Sequence, residues 1–344
     1  MSAAQACQGR PAEEASSSAA RLSALAAPSA GQGALHSPEV RLSASHPEPK
    51  AAVHLLLVLC AAVWGLTFVA GKIASIEASP LNATLWRFIL AGAVLAPLAL
   101  RAERKAGRGL RSLNWQDVLA MILSGLTGLV LYNYFFIKGL SLVEAGRGSV
   151  IVCGSPALIY LASVPLFGTK LSLIRCLGVL FSAAGTAWVV TRGNPATLLE
   201  GGLSAGDLLM LGCPLSWTLY SLLGSRVVGR VTPLSANAWS VVAAVLMLLV
   251  LVPLGGAPIR EAEGYSLATW GAMAFLGLGG TALGFTLYYL GIRALGAYKA
   301  ASYINLVPVF GILSGWLILG ERPQASLITG LILILLGIRL VQKY

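Results

Sequence analysis

From His54 onward the chain alternates long apolar runs with short connections of charged or turn-forming residues. Each run is close to the roughly 20 residues that cross a bilayer as helix. Ten helices are predicted, near residues 53–75, 82–100, 115–137, 147–167, 171–191, 206–225, 234–254, 268–290, 299–319 and 324–341. Residues 1–50 break the pattern, being rich in Ala, Ser, Pro and Gly with no apolar leader-like run. They are read as a disordered tail. The alternative is a plastid or mitochondrial transit peptide, favoured by Ser and Ala and disfavoured by Glu13, Glu14, Glu39 and Glu48.

The punctuating residues recur. Trp64, Pro80 and Trp86 reappear as Trp217, Pro233 and Trp239 at an offset of 153, with Gly71 matching Gly224. Further on the offset is 152, pairing Gly125, Gly128, Gly139, Pro156, Gly168, Gly178 and Gly185 with Gly277, Gly280, Gly291, Pro308, Gly320, Gly330 and Gly337. The chain thus reads as two copies of a five-span unit, 51–191 and 206–344, joined by a loop at 192–205. An odd number of spans per copy reverses the second copy in the membrane. The expected fold is all-α, with ten transmembrane helices as two inverted five-helix repeats around a central cavity. Such repeats typify secondary transporters, because exchanging the halves' conformations yields an inward-open and an outward-open state.

Composition agrees. Hydrophobic residues make up 57% and charged ones 11%, against roughly 25% charged in soluble domains. The net charge of +11 does not form a basic face with interleaved aromatics, so no nucleic-acid partner is expected. It reads as topology. The stretch "RAERKAGRGLR" (101–111) should be cytoplasmic, which puts thirteen Lys and Arg at inner ends and seven at outer ends. Both termini then lie inside, in a bacterial inner (plasma) membrane, or in an organelle membrane if the tail is a transit peptide. Four of the five cysteines fall in apolar runs, which indicates neither a disulfide framework nor a zinc site.

Four stretches carry a likeness to known proteins: "AAVWGLTFVAGKIA" (61–74) with "WRFILAGAVLAPL" (86–98), "KGLSLVEAGRGSVIVCGSPAL" (138–158), "GIRALGAYKAASYINLVPVFGILSGWLILGERP" (291–323) and "ITGLILILLGIRLV" (328–341). Together they resemble the drug/metabolite transporter superfamily, specifically its EamA-type exporters. The resemblance implies a carrier of small metabolites with helices one, three, four, six, eight and nine around a central cavity. The first half departs from it at "FGTKL" (167–171), where Thr169 replaces the glutamate of "LGERP".

Candidate site residues follow from helical spacing. Trp64, Thr67 and Gly71 share one face of helix one, and Trp217, Tyr220 and Gly224 share one face of helix six. Both stripes are cavity candidates, beside the bland reading that they fill the bundle and let helices approach. Asn133 and Tyr288 add polar surface on helices three and eight, where interfacial anchoring is the competing role. Asn305, an amide inside an apolar run, needs hydrogen-bond partners from helix or solute. Pro156 and Pro308 are hinge candidates, since a proline inside a helix frees a carbonyl and kinks it. Arg87 and Glu144 form a candidate outer gate, with outward snorkelling of Arg87 as the plainer reading. Arg175, Arg226, Arg293, Lys72, Lys138, Lys299 and Asp207 read as anchors near span ends. Glu321 reads as a carboxylate suited to the N-terminus of helix ten.

Three histidines and scattered acids leave no cluster for metal or acid/base chemistry, so neither an enzyme nor a cofactor nor a metal is expected. The expected function is export or exchange of amino acids or related neutral and zwitterionic solutes, because no Asp, Glu, His or Lys falls near the middle of a span. The alternatives are another solute class (nucleotide sugar, drug or organic cation) or a non-transporting partner subunit. The expected partners are a small solute and the bilayer, with a homodimer as a candidate assembly.

Overall fold

The apolar runs form helices, and the turn residues between them end those helices. The computed structural model describes residues 50–105, 114–167, 171–198, 204–225, 232–256, 258–295 and 303–343. The helices are α1 (Lys50–Glu77), α2 (Pro80–Lys105), α3 (Trp115–Leu140), α4 (Ala145–Val152 and Ser155–Phe167), α5 (Leu173–Val190), α6 (Ala205–Ser225), α7 (Pro233–Leu254), α8 (Leu267–Ala274 continuing to Gly284–Leu295), α9 (Val307–Leu319) and α10 (Ala325–Lys343). Among the described residues eight are long and apolar enough to cross a membrane, and α9 is a shorter apolar helix. With α6 they make the ten-helix layout. The tail, Gly168, Thr169, Arg108, Arg111, Arg226 and Lys299 lie outside the described residues, as does the side chain of Arg293.

Local chemistry sets several boundaries. Asn114 and Asp117 form a reciprocal capping box at the start of α3, and Thr232 caps α7 with Pro233 in its first turn. Midway, both α3 and α8 widen into π-helix, at Gly125–Leu131 and Phe275–Leu283. Glycines weaken the normal ladder there. The Thr281 hydroxyl donates to the Leu276 carbonyl at 3.1 Å, across the five-residue spacing of such a turn.

The duplication read from spacing is visible in packing. In one buried cluster Leu85, Phe88, Ala91, Leu95 and Ala99 of α2 meet Ala238, Val241, Ala244, Leu248 and Val252 of α7, the same positions 153 residues on. Helices α5 and α10 cross through glycines. A Cβ on Gly178 would lie 2.6 Å from the Gly337 carbonyl oxygen, and one on Gly185 would lie 2.8 Å from that of Gly330. Residue numbers rise along one helix as they fall along the other, so the crossing is antiparallel. Gly178 corresponds to Gly330 and Gly185 to Gly337, so each glycine touches the counterpart of its neighbour. That self-complementary pattern is what a two-fold axis perpendicular to these helices produces. In lipid, where apolar burial gives little drive for helix association, such close backbone approach supplies the packing energy.

Helices four and nine differ from expectation. Each was predicted as continuous and kinked by its proline. Instead α4 breaks at the turn Cys153–Gly154, and α9 begins after the turn Asn305–Leu306. Pro156 and Pro308 stand in the first turn of the segment that follows, where a missing N–H costs nothing.

Candidate functional site between the repeats

The first stripe faces α8. The Trp64 indole donates to the Gly280 carbonyl at 2.8 Å, and its ring lies 5.4 Å from Phe285 and 5.5 Å from Tyr288. It can reach because Gly284 has no side chain; a Cβ there would collide with the indole nitrogen. Leu57, Cys60, Trp64, Tyr288 and Tyr303 line a narrow crevice with no room for a water molecule. Below it the His54 Nδ1 meets the Tyr303 hydroxyl. The cavity candidates Trp64 and Tyr288 are thus neighbours. Asn305 sits in the helix break just beyond Tyr303 and Ile304, partly buried. The Thr67 hydroxyl turns back onto the Trp64 carbonyl, and its methyl sits against Gly280.

The second stripe is the counterpart with one difference. Tyr132 occupies the position equivalent to Gly284, and its ring fills the space beside Trp217 at 5.7 Å and stacks on Phe136. Tyr220 packs against Gly128 and lies 5.1 Å from Trp217. The thiols keep the symmetry, Cys60 donating to the Gly284 carbonyl and Cys213 to that of Tyr132. The two aromatic groups thus occupy corresponding positions in the two repeats.

Arg87 joins them, and this corrects the gate reading. Its Nη1 donates to the Asn133 Oδ1 at 2.5 Å, and its Nε and Nη2 donate to the Thr281 hydroxyl at 3.3 and 3.2 Å. Glu144 is not a partner. It is exposed at the N-cap of α4 and borders a surface crevice with Arg147 and Gln324. Outward snorkelling fails as well. The Arg87 carbonyl sits against Gly277, whereas its guanidinium reaches Thr281, four residues further along α8. Its Nη2 lies beside Gly280, so the side chain runs toward the middle of α8. A charge at a helix centre costs about 2.5–3.5 kcal/mol, and hydrogen bonds to a charged group return about 1.5–3 kcal/mol each. Asn133 is held for this role by its own amide, which donates to the Leu129 carbonyl at 2.8 Å.

Charged groups also tie helix ends together. Arg147 and Asp207, the latter read as an anchor, form a buried two-pronged pair with both contacts at 2.7 Å. The Arg147 Nη2 also donates to the Val190 carbonyl, and the Ser204 hydroxyl donates to Asp207. Glu321 serves a helix N-terminus, but that of α4 rather than α10: the Ala145 and Gly146 N–H groups donate to its oxygens at 2.7 and 3.0 Å. Carboxylates also clamp α2 and α7 reciprocally. The backbone N–H and hydroxyl of Ser79, which precedes Pro80, donate to Glu261. Those of Thr232, which precedes Pro233, donate to Glu103. Ser79 and Thr232 are 153 apart, so the repeat offset was the signal that could have paired the two caps. Among the anchors, Lys72 does tie an end, donating to the Val143 carbonyl at 2.8 Å.

Two homologous five-helix halves with aromatic groups at corresponding positions and a partly buried arginine between them define a polytopic membrane protein of transporter type. The chain belongs to the EamA-like transporter family, whose model matches residues 52–191 and again 204–342. Similar proteins include "Uncharacterized transporter YyaM" of Bacillus subtilis (strain 168), 27% identical over 286 residues that cover 83% of this chain and 92% of that one. "Uncharacterized transporter YoaV" of the same organism is 26% identical, covering 83% and 95%. A WAT1-related chloroplastic protein of Arabidopsis thaliana is 26% identical, covering 81% of this chain and 66% of its own. A crystal structure of a protein 22% identical shares the fold, with a TM-score of 0.58 over 84% of this chain and 96% of that one.

Proposed function

We propose that the protein is a secondary transporter that exports or exchanges amino acids or related small organic solutes by alternating access. The observation that carries this reading is the self-complementary contact of the halves, Gly178 on Gly337 and Gly185 on Gly330. Halves related in this way have two nearly equivalent arrangements, in which each adopts the other's conformation, and access to the centre changes side. Trp64, Thr67, Tyr288 and Asn305 then face the solute from one side, and Asn133, Trp217 and Tyr220 from the other. The breaks before Pro156 and Pro308 allow the two segments of α4 to pivot on each other and α9 to pivot on the residues before it. The outer gate is assigned to Arg147 and Asp207 in place of Arg87 and Glu144, because that pair joins α4 of one repeat to α6 of the other.

The basic stretch 101–111 supports a topology with both termini in the cytoplasm. Flux into proteoliposomes, measured over a panel of amino acids and metabolites with and without a pH gradient, tests the transport reading. Failure of every solute to move refutes it.

A further inference from the structure

We infer that Arg87 is the anchor for a carboxylate on the transported solute, so the site selects acids over otherwise identical amides. The assignment rests on the transporter reading for its location and on the following geometry for its chemistry.

The guanidinium has five N–H donors. Three are used, one by Asn133 and two by the single hydroxyl oxygen of Thr281. All its acceptors are neutral. Among the described residues the acid that pairs with an arginine is Asp207, and its partner is Arg147. Arg87 therefore holds a positive charge between the repeats with two donors that no hydrogen bond among the described residues uses, and no carboxylate among the described residues pairs with it. Burying a charge in this way is expensive unless a partner arrives. An intramembrane cation without a fixed anion is suited to an anion that comes and goes.

The surroundings fit a small carboxylate. Gly280 is the common neighbour of three candidate residues: the Arg87 Nη2 lies 3.7 Å from where its Cβ would be, the Thr67 methyl packs on it, and its carbonyl accepts the Trp64 indole N–H. Because Gly280 and Gly284 carry no side chain, Thr67 and the Trp64 indole pack directly against them, and the guanidinium lies beside that wall. A solute with an anionic head and an apolar or zwitterionic body matches that neighbourhood. Repeat one supplies the cation alone: Ser240, 153 residues beyond Arg87, places its carbonyl against Gly125 as Arg87 does against Gly277. One anionic group per transport event follows from that asymmetry. A planar guanidinium recognises a carboxylate by paired hydrogen bonds, which an ammonium reproduces only in part.

The test compares matched pairs, the twenty amino acids and their carboxamides, for binding to purified full-length protein in nanodiscs by intrinsic tryptophan fluorescence, and for uptake into proteoliposomes. In the wild type at least one acid should bind about tenfold more tightly than its amide, as a charge-assisted contact predicts. Arg87→Gln should bring that ratio to about one, and Arg87→Lys should leave an intermediate ratio. Folding is checked by monodispersity, and if Arg87→Gln does not fold, Arg87→Lys decides, an unchanged ratio refuting the assignment. A purely structural Arg87 would lower yield without moving the ratio. Equal binding of acid and amide by the wild type, or binding of neither, overturns the assignment even if solutes cross the membrane. An Arg87-dependent ratio without flux sustains it and refutes the transport reading instead.

Discussion

Arg147 and Asp207 meet side-on, Nε to Oδ1 and Nη2 to Oδ2, and their side chains are 10% and 2% exposed. Asp207 is further held by Ser204 and Arg147 by the Val190 carbonyl, so the start of α6, the start of α4 and the end of α5 are joined at one point.

Removing one partner leaves the other charge buried, which costs about 3–5 kcal/mol. Asp207→Asn should therefore lower the unfolding midpoint sharply. The double replacement Arg147→Met with Asp207→Leu should restore most of it, because neither charge remains. If the pair holds the outer side closed, the double variant should also label faster at an engineered outer cysteine. Unchanged labelling would leave the pair a fold element only.

Glu321 accepts from the first two N–H groups of α4, and each such charged hydrogen bond contributes about 1.5–3 kcal/mol. Glu321→Gln is expected to reduce thermal stability and yield while leaving the ranking of solutes unchanged. A new substrate profile at normal expression would contradict that.

The α5–α10 crossing depends on absent side chains. A Cβ on Gly337 would lie 2.5 Å from the Gly178 carbonyl oxygen, and backbone cannot yield as a flexible side chain can. Gly337→Ala should destabilise by about 1–3 kcal/mol. Gly271→Ala is the contrast, since a Cβ there meets nothing within 4 Å. Helix propensity alone should make that change stabilising by up to about 1 kcal/mol.

Burial pushes the Glu261 carboxyl up, but hydrogen bonds from the Ser79 N–H, the Ser79 hydroxyl and the Asn82 amide outweigh it, leaving the pKa below the ordinary carboxylate value. A depressed folded pKa stabilises fully above the unfolded value of about 4.3. That contribution is lost as pH falls from there through the folded value. The unfolding midpoint should drop on acidification below about pH 5, and Glu261→Gln should flatten part of the drop.

Replacing Pro156 or Pro308 with alanine restores an N–H in the first turn of its segment and lets the helix run on through the break. Slower exchange with unaltered solute affinity is expected, seen as a fall in maximal counterflow rate without a change in half-saturation. Equal rates in variant and wild type would remove the hinge role.

The spans, the duplication and the aromatic stripes were legible because each is written along the chain. Apolar run length reports bilayer thickness, a fixed offset reports an internal repeat, and positions i, i+3 and i+7 share a helix face. Leu85 to Ala99 accordingly found their counterparts in α7.

What spacing along the chain does not carry is the direction of a long side chain and the identity of its partner. Arg87 and Thr281 are 194 positions apart, and Arg147 and Asp207 are 60 apart. From sequence, Arg87 looked outward to Glu144, Asp207 looked like an anchor, and Glu321 looked toward its own next helix. Only the crossing of the helices decided otherwise. It turned Arg87 inward past Gly277 to a neutral hydroxyl, set Asp207 against Arg147, and brought the N-terminus of α4 to Glu321. Sequence alone established two five-helix copies built to cross a bilayer. Tertiary packing decided where their few charges are spent, because in a low-dielectric interior each charge goes to whatever donor or acceptor the backbone places within reach.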